Sequence, residues 1–323
     1  MQESKLFTPY NLGPIKLRNK TIRAAAFEGM CAGNVPTELL YDYHTAVAAG
    51  GIGMTTVAYA SVTRNGLSFP HQLWMRKEIV PALRRLTDAV HREGAAVSIQ
   101  LGHCGNMSKR KIAGETPVSA SSGFNIYAPT FVRKMRKNEI YDMAKAFGSA
   151  VKLSREAGFD AVEIHAGHGY LISQFLSKFT NHRRDEYGGS LENRMRFMNM
   201  VMLEALEAGG GKIAVTAKIN TSKDFAKAFH YEMADFNVGV TALCPGAVNT
   251  SLYKLDARKR DIALKYGIMM PTDKLADMGI RTMFRKKTLF IPGRINRIAL
   301  PLLHITPMRF IQYLKHRTRI LDK

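Results

Sequence analysis

The most distinctive polar side chains of this sequence lie close together, between residues 163 and 170. His165, His168 and Tyr170 end or follow the apolar stretch 161–166, which has the character of a buried strand. In parallel α/β folds, the active site lies at the carboxyl ends of the strands. Two imidazoles there can donate hydrogen bonds to an oxygen that becomes negative during a reaction, and a phenol can deliver a proton. The spacing therefore predicts a catalytic group formed by these three side chains.

Two other interpretations of the same residues remain open. The histidines could be satisfied core side chains with Tyr170 as a cap, or His165 and His168 could form a His-x-x-His metal pair. Carboxylates or thiolates at ligand spacing are not evident nearby in the sequence, and the three cysteines of the chain occur singly. We therefore expect no metal at this site.

The elements that must position these side chains alternate between buried strands and amphipathic helices. The predicted strands cover residues 22–27, 53–60, 95–102, 161–166 and 212–220. The predicted helices are residues 81–93, a segment capped by Asn138 that ends before Gly158, and a segment capped by Ser190 that runs toward Gly209. This alternation is typical of an α/β fold with a parallel sheet, either open and doubly wound or closed into a barrel.

A longer and more specific pattern surrounds the two histidines. His165 opens the run HAGHGYLISQFLS, and residues 181–194 read NHRRDEYGGSLENR. Further matches are LFTP at 6–9, LRNK at 17–20 and QLGHCG at 100–105. Over residues 5–220 the chain resembles the old yellow enzymes, the NADH:flavin oxidoreductase family.

The resemblance implies that residues 1–220 form part of a (β/α)8 TIM barrel that holds FMN at the carboxyl ends of its strands. Gln100 would bond the pyrimidine edge of the flavin, and Lys218 would place a positive charge beside flavin N1 and O2. Backbone groups of the first strand would contact the isoalloxazine. The residues assigned to FMN on this basis are Gln100, Lys218, Ala24, Ala25, Ala26 and Tyr59.

The same resemblance implies a reaction, the reduction of the activated C=C bond of an α,β-unsaturated carbonyl. His165 and His168 would bind the carbonyl oxygen of the substrate. Hydride from flavin N5 would reach the β-carbon while Tyr170 protonates the α-carbon. NADH or NADPH would then reduce the flavin again in a ping-pong cycle.

Residues 221–323 differ in texture from the part before them, so we expect a second domain. Residues 237–250, NVGVTALCPGAVNT, resemble the strand and loop beside the nicotinamide of short-chain dehydrogenases, which implies a Rossmann-like C-terminal fragment. Ile219 stands where that family has its catalytic tyrosine, and Lys223 where it has its lysine.

The loops that hold the FMN phosphate in old yellow enzymes have no evident counterpart in the sequence. The alternative functions are an NAD(P)-dependent short-chain dehydrogenase acting on a hydroxyl or carbonyl, and a catalytically impaired fusion of the two families.

Composition adds limits of a coarser kind. Hydrophobic residues make up 46% and charged residues 23% of the chain, which is ordinary for a globular protein. The net charge is +21, and residues 253–323 hold seventeen Lys and Arg against five Asp and Glu. No recognised nucleic-acid module accompanies this charge, so we expect a small-molecule substrate and no nucleic acid.

The basic amphipathic segment 309–323 could meet a membrane surface, although docking on its own domain is at least as consistent with it. The sequence shows neither an apolar signal core nor a spanning stretch, so we expect a cytoplasmic protein; its oligomeric state is not indicated.

Overall fold

The computed structural model divides the chain into two compact units, Met1–Asn220 and Thr221–Lys323. In the first unit it describes residues 5–125 and 128–219. In the second unit it describes residues 242–243, 247–248, 256–267, 269–284 and 289–290. The candidate site lies in the first unit.

The described part of the first unit contains short 3-10 turns, helices and strands in alternation. Its strands are β1 (Tyr10–Leu12), β2 (Ile15–Leu17), β3 (Ile22–Arg23), β4 (Met54–Ser61), β5 (Leu73–Trp74), β6 (Ala96–Gly102), β7 (Val118–Ser119), β8 (Gly123–Asn125), β9 (Thr130–Lys134), β10 (Ala161–Ala166) and β11 (Ala214–Ile219). Its α-helices are α1 (Glu38–Ala49), α2 (Val80–Arg92), α3 (Arg110–Ala113), α4 (Lys137–Glu156), α5 (Leu171–Leu176) and α6 (Leu191–Gly209).

The main sheet has the strand order β11-β10-β6-β4-β3, and β5 pairs with β4 at one end. All of its pairs are parallel, and neighbours in the sheet follow one another along the chain with helices between them. This is the order of consecutive β/α units in a barrel, so the first unit forms a parallel half-barrel. Glu163 is paired in register with Gln100, and His165 with Lys218, so these pairs lie side by side on adjacent strands.

The predicted alternation of strand and helix is confirmed, with one strand much shorter than expected. The stretch 22–27 was predicted as a strand, but only Ile22–Arg23 pairs with β4. Beyond Arg23 the carboxylate of Glu28 accepts the backbone N–H of Ala58 at 3.0 Å, in the bulged part of β4. A side chain thus takes the place of further strand pairing.

The helix starts differ from the prediction in one place. Ser190 caps α6 as predicted, because its hydroxyl accepts the backbone N–H of Asn193. Asn138, however, lies inside α4, and the prediction that it caps this helix is wrong. The N-cap of α4 is Arg136, whose backbone N–H is bound by the Glu139 carboxylate at 2.7 Å.

The core lies between the sheet and the helices that cover it. The predicted apolar stripe of α2 is buried at Leu83, Leu86 and Val90, and α4 buries Phe147 and Val151. At the amino ends of the strands, the β1–β2 hairpin forms a separate apolar layer. That layer contains Leu12, Ile15, Leu17, Met54, Ala96, Ala161 and Ala214. The hairpin therefore closes the end of the half-barrel opposite the predicted site.

The described residues of the second unit form β12 (Ala242–Leu243), β13 (Ala247–Val248), α7 (Ala257–Lys265), β14 (Met269–Met270), α8 (Thr272–Phe284) and β15 (Leu289–Phe290). Strand β12 pairs with β15, and β13 with β14, both in parallel. The basic amphipathic segment 309–323 lies outside the described residues. No helix within the described ranges is long and apolar enough to cross a membrane.

Candidate active site

The three residues predicted to carry the chemistry converge at the carboxyl end of β10. The ring centroids of His165 and His168 are 4.9 Å apart, and those of His165 and Tyr170 are 4.8 Å apart. His165 is buried at the strand end, whereas His168 and Tyr170 are more exposed. His168 has a φ of 55°, in the left-handed region that few side chains tolerate and that histidine occupies more readily than most. This turn directs the chain back so that the ring of His168 meets the ring of His165.

The hydrogen bonds of His165 define where its proton lies. Its Nδ1 accepts the backbone N–H of Gly167 at 3.3 Å, so the neutral ring carries its proton on Nε2. That Nε2 lies 3.1 Å from Nδ1 of His168. The Nε2–H of His165 therefore donates to Nδ1 of His168, and this bond brings the two rings together at the end of β10.

Both imidazoles of this pair are held in the neutral form. Burial, with contributions from His168 and Lys218, lowers the pKa of His165 to about 3. Burial and the nearby Lys218 also lower the pKa of His168. The pair can therefore donate N–H groups without a positive charge that would attract water or bulk anions.

Tyr170 lies against a second tyrosine, from strand β4, which β6 separates from β10 in the sheet. The ring centroids of Tyr59 and Tyr170 are 5.4 Å apart, and the hydroxyl of each reaches the hydroxyl of Ser68. Burial raises the pKa of Tyr170, so its phenol is protonated at neutral pH and can act as an acid. Tyr59 is 3% exposed and donates to the carbonyl of Gly66, and its assignment to the cofactor stays a prediction.

The polar groups predicted for the flavin lie on the adjacent strands. The Gln100 amide donates to the Glu163 carboxylate at 2.6 Å across β6 and β10. The Lys218 ammonium donates to the carbonyl of Ala25 at 3.0 Å, and so extends from β11 to the residues that follow β3. An amide, an ammonium and a backbone carbonyl in this arrangement are the donors and acceptor that the pyrimidine edge of a flavin requires.

Ala24, Ala25 and Ala26 follow β3 in extended, irregular backbone; Ala25 is buried, and its two neighbours are exposed. Their position depends on Glu28, a buried carboxylate that the sequence reasoning missed. Besides binding Ala58, Glu28 pairs with Arg23 at 2.6 Å and lies 3.4 Å from His44. No local pattern marks Glu28 as buried, because its partners come from β3, β4 and α1.

A third histidine lies beneath this region and was named in the sequence only as part of a motif. His103 is 1% exposed, its Nδ1 accepts from the backbone N–H of Gly105, and its Nε2 is 3.2 Å from Asn65 Oδ1. Burial lowers its pKa to about 3. Among the residues that the structure describes, no group of three or more His, Cys, Asp or Glu side chains could hold a metal ion.

A cavity of about 700 Å³ lies beside the histidine pair rather than over it. It reaches the end of β10 at Ala166 and Gly169 and extends between α5 and the β7–β9–β8 sheet. Its apolar walls include Met107, Phe124, Val132, Leu176, Phe179 and Ile219. The cavity provides room for an uncharged ligand next to the catalytic group.

The fold and the site together define a class of protein: parallel β/α units with a cluster of neutral imidazoles and phenols at the carboxyl ends of the strands. The model of the NADH:flavin oxidoreductase / NADH oxidase family matches residues 5–250, and the chain belongs to this family. The resemblance to the old yellow enzymes is thereby confirmed. The predicted FMN and NAD(P)H agree with membership in a family of flavin oxidoreductases.

Curated relatives extend the comparison. The chain is 38% identical over 222 residues to the 4,4'-dithiodibutanoate disulfide reductase of Rhodococcus erythropolis, covering 69% of this chain and 55% of that protein. It is 35% identical over 234 residues to the putative 12-oxophytodienoate reductase 4 of Oryza sativa subsp. japonica, covering 69% and 60%. The chain thus spans little more than half the length of these relatives.

A solved structure supports the fold over a larger part of the chain. The old yellow enzyme homologue of Zymomonas mobilis superposes with a TM-score of 0.62 at 26% identity, covering 83% of this chain and 88% of that one. Old yellow enzyme neighbours imply a TIM barrel, of which the described strands form the first half. The family match includes residues 237–250, and the short-chain-dehydrogenase assignment of this segment stays a prediction. Lys223, Pro245 and Gly246 lie outside the described residues.

Proposed function

We propose that this protein is an FMN-dependent NAD(P)H oxidoreductase of the ene-reductase type, which reduces the activated C=C bond of an α,β-unsaturated carbonyl compound. The observation that carries the proposal is the convergence of His165, His168 and Tyr170 at the end of one strand. Lys218 lies beside His165 in register on the next strand. Family membership supports the same reaction class.

The residues described at the barrel mouth fit the isoalloxazine part of FMN. Gln100 would donate to its pyrimidine edge, Lys218 would stand at its N1–O2 side, and the backbone of residues 24–26 would lie against the ring. When bound, FMN supplies the two-electron chemistry that no protein side chain provides. In the structure Gln100 and Lys218 are already oriented by Glu163 and by the carbonyl of Ala25, so their positions are fixed in advance.

The histidine pair would bind the carbonyl oxygen of the substrate. Nε2 of His165 and Nδ1 of His168 bond to each other in the structure, and a substrate oxygen that replaces this bond would accept from both rings once His168 carries its proton on Nδ1. As the alkene is reduced, negative charge develops on this oxygen, and two fixed N–H donors stabilise that charge.

Tyr170 would protonate the α-carbon. Its O–H bond breaks, the new C–H bond forms, and the electron pair of the O–H bond stays on the phenol oxygen. Because Tyr170 is partly exposed, water can return the proton afterwards. The apolar cavity beside the site favours an uncharged substrate body.

The identity to the disulfide reductase of R. erythropolis gives an organic disulfide as a second substrate to test. The experiment loads the full chain with FMN and follows NADPH oxidation with 2-cyclohexenone, with 4,4'-dithiodibutanoate and with neither. We expect FMN to quench on binding and the enone to accelerate NADPH oxidation well above the rate without acceptor. A chain that binds no FMN is the impaired fusion considered from its sequence. Flavin-independent NADPH oxidation would favour the short-chain-dehydrogenase alternative.

A further inference from the structure

We propose that Ser68 is a positioning residue that holds the hydroxyl of Tyr170 and stabilises the phenolate that proton transfer leaves behind. The proposal rests on the proposed function, since it assigns a role to a residue behind the acid of that reaction. Ser68 lies in the loop between β4 and β5, which neither the sequence pattern nor the comparisons relate to catalysis.

The geometry places one hydroxyl between two phenols. The hydroxyl oxygen of Ser68 is 3.5 Å from that of Tyr170 and 3.1 Å from that of Tyr59. Ser68 is 7% exposed and Tyr59 is 3% exposed, so water does not substitute for these contacts. The hydroxyls of Ser68 and Tyr59 therefore both reach Tyr170 from its buried side.

The other contacts of the loop indicate where the proton of Ser68 can go. The Ser68 hydroxyl donates to the side-chain carbonyl of Gln72 at 3.1 Å, and that oxygen also accepts the backbone N–H groups of Ser68 and Phe69, at 2.9 and 3.4 Å. Tyr59 gives its own proton to the carbonyl of Gly66, which can only accept. A serine hydroxyl rotates freely, so Ser68 can turn its proton toward Tyr170 whenever Tyr170 becomes the stronger acceptor.

That moment comes when Tyr170 has protonated the α-carbon. The phenol O–H bond has broken, the oxygen carries the electron pair and a negative charge, and Ser68 and Tyr59 on its protein side are buried. A hydrogen bond from Ser68 to this oxygen is then charge-assisted and shorter than the contact to the neutral phenol. Burial raises the pKa of Tyr170, and the hydrogen bonds to Ser68 and Tyr59 act in the opposite direction. The hydroxyl pair thus offsets part of the rise in the Tyr170 pKa that burial causes.

The test measures the acidity of the phenol directly, without cofactor or substrate. Fluorotyrosine, whose phenol ionises at lower pH than tyrosine, is incorporated at position 170, and its 19F shift is followed against pH. We expect Ser68→Ala to raise the midpoint by about one pH unit, from the loss of a hydrogen bond to a charged group. Ser68→Thr keeps the hydroxyl and should restore the midpoint.

Ser98→Ala is the matched control, because the buried hydroxyl of Ser98 has no hydrogen-bond partner in the described residues. In FMN-loaded protein, Ser68→Ala should slow the reoxidation of reduced flavin by 2-cyclohexenone about tenfold, the equivalent of one pKa unit, and leave flavin reduction by NADPH unchanged. If Ser68→Ala does not fold, Ser68→Cys replaces it and should raise the midpoint in the same direction, because a thiol is a weak donor.

An unchanged midpoint in the folded Ser68→Ala variant, or in Ser68→Cys where that variant replaces it, would overturn the proposal. A shift of the same size in Ser98→Ala would do so as well. Failure of the proposed function and failure of the role of Ser68 give different results. A wild-type chain without enone turnover contradicts the proposed function, whereas the 19F midpoint still decides the role of Ser68.

Discussion

The two ends of the main sheet are built from the same strands but from different chemistry. At the amino ends, the first residues of β4, β10 and β11 pack on Leu17 of the β1–β2 hairpin in an apolar layer. At the carboxyl ends of the same strands lie imidazoles, phenols, an amide and an ammonium, several of them buried and bonded to one another. One end contributes burial of apolar surface, and the other holds polar groups in fixed positions at a cost in desolvation. A barrel separates stability from catalysis along the direction of its strands.

The largest effect is expected from the carboxyl end. Tyr170→Phe removes the proton donor but keeps the ring, so reoxidation of reduced enzyme by 2-cyclohexenone should fall by about 10²–10⁴-fold. Flavin reduction by NADPH should be retained, and the free energy of unfolding should change little. Stopped-flow absorbance measures both half-reactions, with the exposed Tyr141→Phe as control. Equal loss in both half-reactions would show that Tyr170 supports the site rather than the proton transfer.

A substitution at the amino end of the sheet should have the opposite result, a loss of stability with turnover retained. Leu17 is 1% exposed, so Leu17→Ala should lower the free energy of unfolding by about 2–5 kcal/mol through lost burial and a cavity. Turnover per folded molecule should stay near that of the wild type, as measured at low temperature after denaturant unfolding has defined the stability. Leu203→Ala, at a 67% exposed position, is the control and should change stability by less than about 0.5 kcal/mol. A change in the chemical step of Leu17→Ala would mean that the two ends are coupled.

A smaller effect is expected at Lys218, whose positive charge should influence both the affinity for FMN and the reduction potential of bound FMN. Lys218→Met removes a charge-assisted hydrogen bond worth about 1.5–3 kcal/mol, so FMN affinity should fall at least about tenfold. The reduction potential of bound FMN should also fall, because the positive charge beside the reduced flavin is lost. Fluorescence titration and potentiometry measure the two quantities. The exposed Lys212→Met, six residues earlier in the chain, should leave both unchanged.

A gradual effect is expected from pH, because two buried histidines at the carboxyl ends of the strands change the stability of the protein as they titrate. The pKa values of His103 and His165 are lowered to about 3 in the folded protein, below the ordinary 6.5. Between these values the unfolded state binds more protons, so stability is fully present above pH 6.5 and is lost as the pH falls toward 3. Each imidazole contributes a slope of up to about 1.4 kcal/mol per pH unit in that window.

Denaturant unfolding at several pH values tests this dependence. His103→Gln should flatten the slope between pH 6.5 and 4 by the share of one imidazole, whatever it does to stability at pH 7. His182→Gln, at an exposed position, is the control. An identical slope in wild type and His103→Gln would show that His103 does not stay neutral in the folded state.

The sequence predicted the parallel alternation, the cap at Ser190 and the grouping at the end of β10, because each depends on local period or local motif. It predicted too long a first strand, because the pairing of residues 24–27 with β4 is replaced by the bond between Glu28 and Ala58. These two residues are 30 positions apart in the sequence. It placed the α4 cap at Asn138, since propensity alone does not show that Arg136 and Glu139 form the cap. Ser68 carries no local signal at all. Its place behind Tyr170 arises only when a loop after β4 meets a loop after β10.

We propose that the carboxyl-end cluster reduces an alkene with a proton delivered by Tyr170. The position of solvent hydrogen in the product shows whether it does. FMN-loaded protein converts 2-cyclohexenone with unlabelled NADPH in D₂O, and NMR locates deuterium in the product. We expect cyclohexanone with one deuterium on the α-carbon and none on the β-carbon, because the phenol of Tyr170 exchanges its hydrogen with the solvent. Formation of the allylic alcohol, or deuterium on the β-carbon alone, would contradict it.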